Sequence, residues 1–322
     1  MSHHDAAAAR VIGAPAGAVR SVVYAALIFL SVPQRAAACA CGCGVFEVGT
    51  ASMFPNAAGG MVFLDYNYLN QNQNWSGTSK APAEHNDDKV IESNFVTAGV
   101  DYLFNRSWGI SVKMPYWKRS FTTTDEASGE LATFHHGALG DIRLTANYSG
   151  FSEDMSTGLV FGVKLATGDY TYPGFDRDTS IGTGSTDLLL GLYHRDGLTA
   201  TNSWSYYVQA LWDRPVVTRG GYNPGAEGDF ALGAFYNVGF PVGTARLSPV
   251  LQLVASLRGR DSGPEANPEG SGYTRVLISP GIEVSWGAAH VYADIELPVY
   301  QDIVGNQLVA MRQYKLIVST HF

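Results

Sequence analysis

The stretch Ser93–Ser120, SNFVTAGVDYLFNRSWGISVKMPYWKRS, decides the fold. Its first arm puts Val96, Ala98, Val100, Tyr102 and Phe104 on one parity and Asp101 on the other. Successive side chains of a strand point to opposite faces, so a period of two marks an extended segment with one apolar and one polar face. Asn105, Arg106 and Ser107 interrupt the pattern, and Trp108 then opens a second arm with Lys113 on its polar side. A join this short returns the chain antiparallel, because a parallel neighbour needs a crossover of a dozen or more residues.

From Gly59 onward the same unit recurs without a linker or a shift in composition. Twelve segments fall at 59–70, 93–104, 108–120, 138–149, 158–168, 185–194, 203–214, 228–238, 245–260, 272–286, 290–301 and 312–322. The apolar face continues through Ile142, Leu144, Ala146 and Tyr148, then Leu159, Phe161, Val163 and Leu165, and later Val291, Ala293, Ile295, Leu297 and Val299. The opposite face carries Asp65, Asp101, Lys113, Asp141, Arg143, Lys164, Asp187, Gln209, Asp229, Gln252, Arg258, Arg275, Glu283, Asp294, Glu296 and Lys315.

A soluble sandwich alternates in the same way, so the connections must decide. Short joins near 105–107, 150–157, 195–202, 239–244 and 287–289 alternate strictly with long ones near 71–91, 121–137, 169–184, 215–227, 261–271 and 302–311. Tight periplasmic turns, longer extracellular loops and an even strand number define an up-and-down outer-membrane barrel. Aromatic residues gather where its two interfaces would lie. Tyr102, Phe104, Trp108, Tyr148, Trp204, Tyr206, Tyr236, Phe240 and Trp286 stand by the short turns; Tyr66, Tyr68, Tyr116, Trp117, Tyr170, Trp212, Tyr300 and Tyr314 stand toward the long loops. Amphipathic rings settle at both membrane interfaces. The last residues, Tyr314–Phe322, alternate and end on an aromatic, which resembles the signal read by the barrel assembly machinery. The expectation is an all-β, transmembrane up-and-down antiparallel β-barrel of about 12 strands over residues 59–322. Pro115, Pro249, Pro280 and Pro298 oppose it locally, since proline cannot donate to a ladder. Pro280 in particular requires a bulge or a shifted boundary.

Composition excludes other classes. With 46% hydrophobic and 16% charged residues, 36 Gly and 17 Tyr, the 322-residue chain is not of a disordered type. Only Ser21–Val32 approaches the length of a membrane-spanning apolar helix, so a helical bundle is out. A net charge of −8 with no basic cluster argues against nucleic-acid binding.

Residues 1–40 read as an export signal: Arg10 and Arg20 precede the apolar run, and small residues follow it to a cleavage site near Ala38 or Ala40. Losing Arg10, Arg20, Arg35 and Asp5 takes the charge from −8 to −10. Residues 41–58 then form a cysteine-containing periplasmic segment, whose Phe46, Val48 and Met53 are apolar enough to plug the barrel mouth. Cys39, Cys41 and Cys43 make no long-range disulfide framework. Cleavage after Ala38 would leave Cys39 first, as lipid attachment requires, although Ala36 stands where a lipoprotein signal prefers Leu. A soft metal on the thiolates and loosely pairing thiols are the other readings. No cofactor is expected.

The expected lumen is of mixed charge, and opposite charges in a narrow barrel commonly pair structurally. The sharper reading is a selectivity region in which Arg258, Arg260 and Arg275 lie near Asp294 and Glu296, with Glu283, Lys113 and Arg143 also lining the pore. Tyr193, Tyr207, Phe235, Tyr273, Tyr292 and Tyr300 are the aromatic lumen candidates. Acidic loops carry Asp87, Asp88, Asp125, Glu126, Asp169, Asp176 and Asp178, in no EF-hand spacing, and His135–His136 is an incomplete metal pair. No histidine falls beside a serine on an outer-leaflet strand half, so no catalytic site is expected.

Five motifs carry a family likeness: LGDI (Leu139–Ile142), LATGDY (Leu165–Tyr170), GTGSTD (Gly182–Asp187), SPGIEV (Ser279–Val284) and LPVYQDIVGNQL (Leu297–Leu308). Taken in order, they resemble the outer-membrane barrel family named for the MetA pathway of phenol degradation, whose members are described as transporters. The resemblance implies an outer-membrane channel for passive diffusion of small aromatic or hydrophobic molecules. Its partners would be membrane lipid and lipopolysaccharide, the assembly machinery through Tyr314–Phe322, and a small solute. The CACGCG strip at Cys39–Gly44 is not among the residues that carry the resemblance. The competing class is a closed structural or adhesive barrel acting through its loops.

Overall fold

The computed structural model describes Phe54 and residues 57–125 and 128–322. The expected signal segment, the three cysteines and Phe46, Val48 and Met53 lie outside the described residues. Fourteen strands follow in order: β1 Gly59–Gly77, β2 Ser79–Lys80, β3 Asp88–Leu103, β4 Trp108–Thr124, β5 Leu131–Leu139, β6 Ile142–Tyr148, β7 Thr157–Leu165, β8 Ser185–Gly197, β9 Trp204–Thr218, β10 Glu227–Tyr236, β11 Phe240–Val242, β12 Ala245–Arg258, β13 Tyr273–Trp286 and β14 Ala289–His321.

Neighbours pair antiparallel throughout, and the sheet closes on itself through β10–β12 and β1–β14. The closed circuit passes through eleven of these elements, with β2, β5 and β11 off the path. One of the eleven counts twice. β14 meets β13 along Ala289–Ile303 and β1 along Ile303–His321. It doubles back at Gly305, whose φ of +66° a side chain would strain, and its arms meet through Glu296 and Lys315 and through His321 N–H donating to Ala288 O at 3.1 Å. The barrel therefore has twelve staves, the even number that brings both ends to the side of the short turns. Closure leaves no free edge, and backbone groups that lipid cannot satisfy are paired from stave to stave.

The outside is a band of exposed aliphatic side chains, among them Val62, Leu64, Val96, Val100, Val112, Leu144, Leu190, Leu232, Leu253 and Val318. Rings close it at the short-turn end, where Trp108 packs on Tyr148 and Trp204 on Tyr236. An apolar exterior around a closed barrel is an outer-membrane surface, and a chain of this kind belongs to the outer membrane of a Gram-negative bacterium.

Several elements run past their expected ends. β1 reaches Gly77, β3 begins at Asp88, β4 and β5 extend to Thr124 and from Leu131, and the expected loop 302–311 is a tight turn within β14. Above the membrane both faces of the wall meet water or packed protein, so the sequence there (Gln71, Gln73, Asn74) loses its alternation while the ladder continues. The expected stave 138–149 is split into β5 and β6, which pair with the upper and lower parts of β4. Pro115 lies at that gap, where its carbonyl accepts the amide of Gly140 at 2.8 Å. Pro280 falls where the β13–β14 ladder lapses between Ile278 and Gly281, and Pro298 adjoins the register shift at Val276/Leu277.

Candidate channel lumen

Parity places the polar and aromatic set inside, but the interior is lopsided. On the β9–β14 side it is filled. Tyr207 donates to Gln252, Gln252 donates to the Tyr292 hydroxyl, and Tyr292 and Ser279 donate to Asp294 at 2.8 and 2.7 Å. Higher up, Ser256 donates to Glu227 and Asp229, Tyr273 donates to Glu227 at 2.8 Å, and the Arg275 guanidinium lies over the Tyr273 ring at 5.5 Å. Lys315 pairs with Glu296 at 3.2 Å, both side chains fully packed. Bonds of this kind are strong in a low-dielectric interior and costly when broken.

The other side is open. A cavity of about 400 Å³ extends between β1, β3, β4, β6, β7, β8, β9 and β14. Its walls are Phe63, Phe95, Trp117, Leu189, Tyr193 and Ile317, with Asp65, Asp101, Lys113, Asp141, Arg143 and Gln209 among them. Gly59, Gly60, His321 and Phe322 bound it at the short-turn end. Three carboxylates and two cations leave it nearly neutral. Aromatic side chains fit here because glycines sit beneath them: a Cβ on Gly99 would stand 2.0 Å from the Phe63 ring.

Above lies a second cavity of about 110 Å³, sharing Pro115, Trp117, Asp141 and Arg143 with the first. Lys164, Asp187, Asp213, Glu227 and Arg258 line it, and Arg177, Asp178 and residues 180–183 of the β7–β8 connection form its roof. That connection is folded inward. Thr179, Ser180 and Ile181 are buried. Arg119 reaches up from β4 to donate to Thr179 O at 2.6 Å and Ser180 O at 3.2 Å, while its Nε donates to Ser93 at 2.9 Å. Arg177 lies between the Tyr170 and Tyr222 rings.

Asp141 is the second anchor. Its carboxylate accepts the amide of Gly168 at 2.9 Å, the amide of Thr183 at 2.9 Å and the Thr183 hydroxyl at 2.7 Å. Beside it, the Thr167 hydroxyl accepts Ile142 N–H and donates to Gly140 O. Gly168 and Gly182 touch backbone to backbone: a Cβ on Gly182 would lie 2.4 Å from the Gly168 carbonyl carbon. Three motifs distant in sequence, LGDI, LATGDY and GTGSTD, thus meet at one node where the loop turns into the barrel.

The sequence-predicted site residues separate into groups. Lys113 and Arg143 line the main cavity, and Arg143 pairs with Asp213 at 3.4 Å. Arg258 borders only the upper cavity and pairs with Asp261 at 2.6 Å. Arg275, Asp294, Glu296 and Glu283 border neither cavity; Glu283 lies 3.4 Å from His290. Arg260 is half-buried in the loop after β12. Of the aromatic candidates, Tyr193, Tyr207, Phe235, Tyr273 and Tyr292 are buried inside, whereas Tyr300 faces outward, because the register shift opposite Val276 and Leu277 turns it over. Trp117 is not in the outer girdle. It stacks on Phe95 at 4.1 Å beneath Arg119, on the same parity as Lys113. His136 meets Asp169 at 3.0 Å and stacks on Tyr172. Three features escaped the sequence reading: Phe54 in the lumen, the Asp141 node and the Arg119 anchor. Parity alone could have placed Arg119 inside.

No family model and no curated protein matches the chain. Solved structures do. The COG4313 outer membrane channel of Pseudomonas putida F1 superposes with a TM-score of 0.65 at 12% identity, over 86% of this chain and 100% of that one. The β domain of the Bordetella autotransporter BrkA gives 0.49 at 12% identity, over 82% and 100%, and the Ralstonia pickettii toluene transporter TbuX gives 0.41 at 8%, over 84% and 93%. At these identities the first likeness establishes the outer-membrane barrel fold.

Proposed function

We propose that the protein is an outer-membrane channel for passive diffusion of small, apolar or aromatic molecules, related to the barrels of phenol degradation. The observation that carries this reading is the main cavity, nearly neutral and with aromatic rings forming much of its wall. Such a surface holds an apolar ring through burial and orients it through a few polar groups. Lys113 and Arg143, facing Asp65, Asp101 and Asp141, are the groups that would set charge preference. Lipopolysaccharide around the wall and the assembly machinery at Tyr314–Phe322 complete the proposed set of partners.

The inward loop and the filled half favour a second reading, a closed structural barrel. Proteoliposomes loaded with radiolabelled phenylalanine and glutamine separate the two, since both zwitterions are held by lipid and differ chiefly in the ring. Faster release of phenylalanine supports the channel. Release of neither, from liposomes holding a folded barrel, supports the closed form.

A further inference from the structure

Phe54 precedes the first strand, yet it lies within the barrel at 6% exposure. Its ring centroid is 4.9 Å from that of Tyr207 and 5.5 Å from that of Tyr193, tilted by 51° and 49°. Inclined, offset rings at this range attract through their quadrupoles. Both tyrosines present ring faces only. The Tyr207 hydroxyl is committed to Gln252, and the Tyr193 hydroxyl donates to Met155 O at 3.3 Å. The bonded chain through Gln252 and Tyr292 to Asp294 fixes the back of this cradle. Gly158 and Gly233 let the two rings lie close to the wall, since a Cβ on either would come within 2.4 Å of them. On its remaining side Phe54 borders the main cavity.

We infer that the Tyr193–Tyr207 cradle is the subsite for the aromatic ring of the permeant, and that Phe54 is a built-in competitor seated in it. The inference rests on the channel reading above. It assigns a ligand class, a single uncharged benzene-type ring, whose polar substituent would face Asp65, Lys113 and Gln209 across the cavity. A tethered group competes at an effective concentration in the millimolar range. Free aromatic solute therefore binds weakly until Phe54 leaves, and the seat is never vacant to water. An apolar seat emptied of its side chain stays dry and takes up benzene-sized ligands.

The test is a fluorine NMR titration of detergent-solubilised barrel with 4-fluorophenol, corrected for protein-free micelles, with heat-modifiable migration confirming the fold. Phe54→Ala should bind saturably and about ten- to hundredfold more tightly than the wild type, the range expected from burying one ring. Phe54→Trp should bind no better than the wild type. Phe54→Leu, which keeps an apolar plug without the ring, should fall between them and serves if the Ala variant fails to fold. Equal binding by wild type and Phe54→Ala would overturn the inference, as would displacement of the probe by cyclohexanol as readily as by phenol. Binding does not depend on conduction. Saturable binding without phenylalanine release would contradict the channel alone, and release with no gain of binding in Phe54→Ala would contradict the cradle alone.

Discussion

Replacing Asp141 with Ala should free the loop that roofs the upper cavity. The carboxylate is 8% exposed and holds three donors, all from residues 168 and 183 of that loop. Hydrogen bonds to a charged group contribute about 1.5–3 kcal/mol each, but bonds within one network do not add fully, and water takes up part of the loss. A net cost of about 3 kcal/mol to the inward state is reasonable, equal to roughly 150-fold in the ratio of open to closed loop. Trypsin reports it. Arg177 is shielded between Tyr170 and Tyr222 while the loop is in place, so cleavage there passes through the open form and its rate follows the open population. Added outside proteoliposomes, trypsin should cut Asp141→Ala at Arg177 faster by about that factor. Asp141→Asn, which keeps one acceptor, should be intermediate. Unchanged cutting in a barrel of unchanged heat-modifiable stability would refute the reasoning and leave Arg119 as the sole anchor.

Other consequences are simpler to read. Gly182→Ala forces a Cβ to within 2.4 Å of the Gly168 backbone and should expose Arg177 to trypsin much as Asp141→Ala does, without removing any hydrogen-bonding side chain. Lys315→Met strands the buried Glu296 carboxylate and should cost about 3–5 kcal/mol, lowering the temperature of the gel-mobility shift; the double change with Glu296→Met should recover most of it. Asp88, at the outer rim beyond the membrane-spanning part of β3, is pushed up to about 7 by burial and by the carboxylates of Asp176, Asp178 and Asp87, against a bond from the Thr123 hydroxyl. Its folded pKa exceeds its ordinary value, so the protonated form stabilises the rim: the contribution is whole below about pH 4 and is lost as pH rises through 7. Amide exchange near Asp88, corrected for intrinsic rate, should show more protection at pH 5 than at pH 8, and Asp88→Asn should abolish the difference.

The membrane made most of the fold legible. Within the lipid band one face of each stave must be apolar, so all twelve appeared in the alternation, together with the short turns and the inner girdle. Outside the band that constraint ends, and the upper parts of β1, β3, β4, β5 and β14 read as loop. Parity also told inside from outside for the charged residues. It failed only where a bulge intervened, as at Tyr300, or where the period was set aside in favour of residue type, as at Trp117. What no single strand can reveal is which part of the lumen is filled. That depends on partners brought round the barrel, such as Tyr207, Gln252 and Tyr292, and on a loop pinned by Asp141 and Arg119. Phe54 was invisible for a related reason: outside any periodic segment, an apolar residue carries no sign of where it will lodge.

On the channel reading, the inward loop over the upper cavity and the Phe54 ring beside the main one are the two groups that narrow the path. Single-channel recording in planar bilayers tests that account most directly, comparing the refolded barrel with its Phe54→Ala and Asp141→Ala variants. Small discrete steps in the wild type, larger in each variant, are the predicted result. Barrels that insert with native heat-modifiable migration and remain silent in all three forms would contradict it.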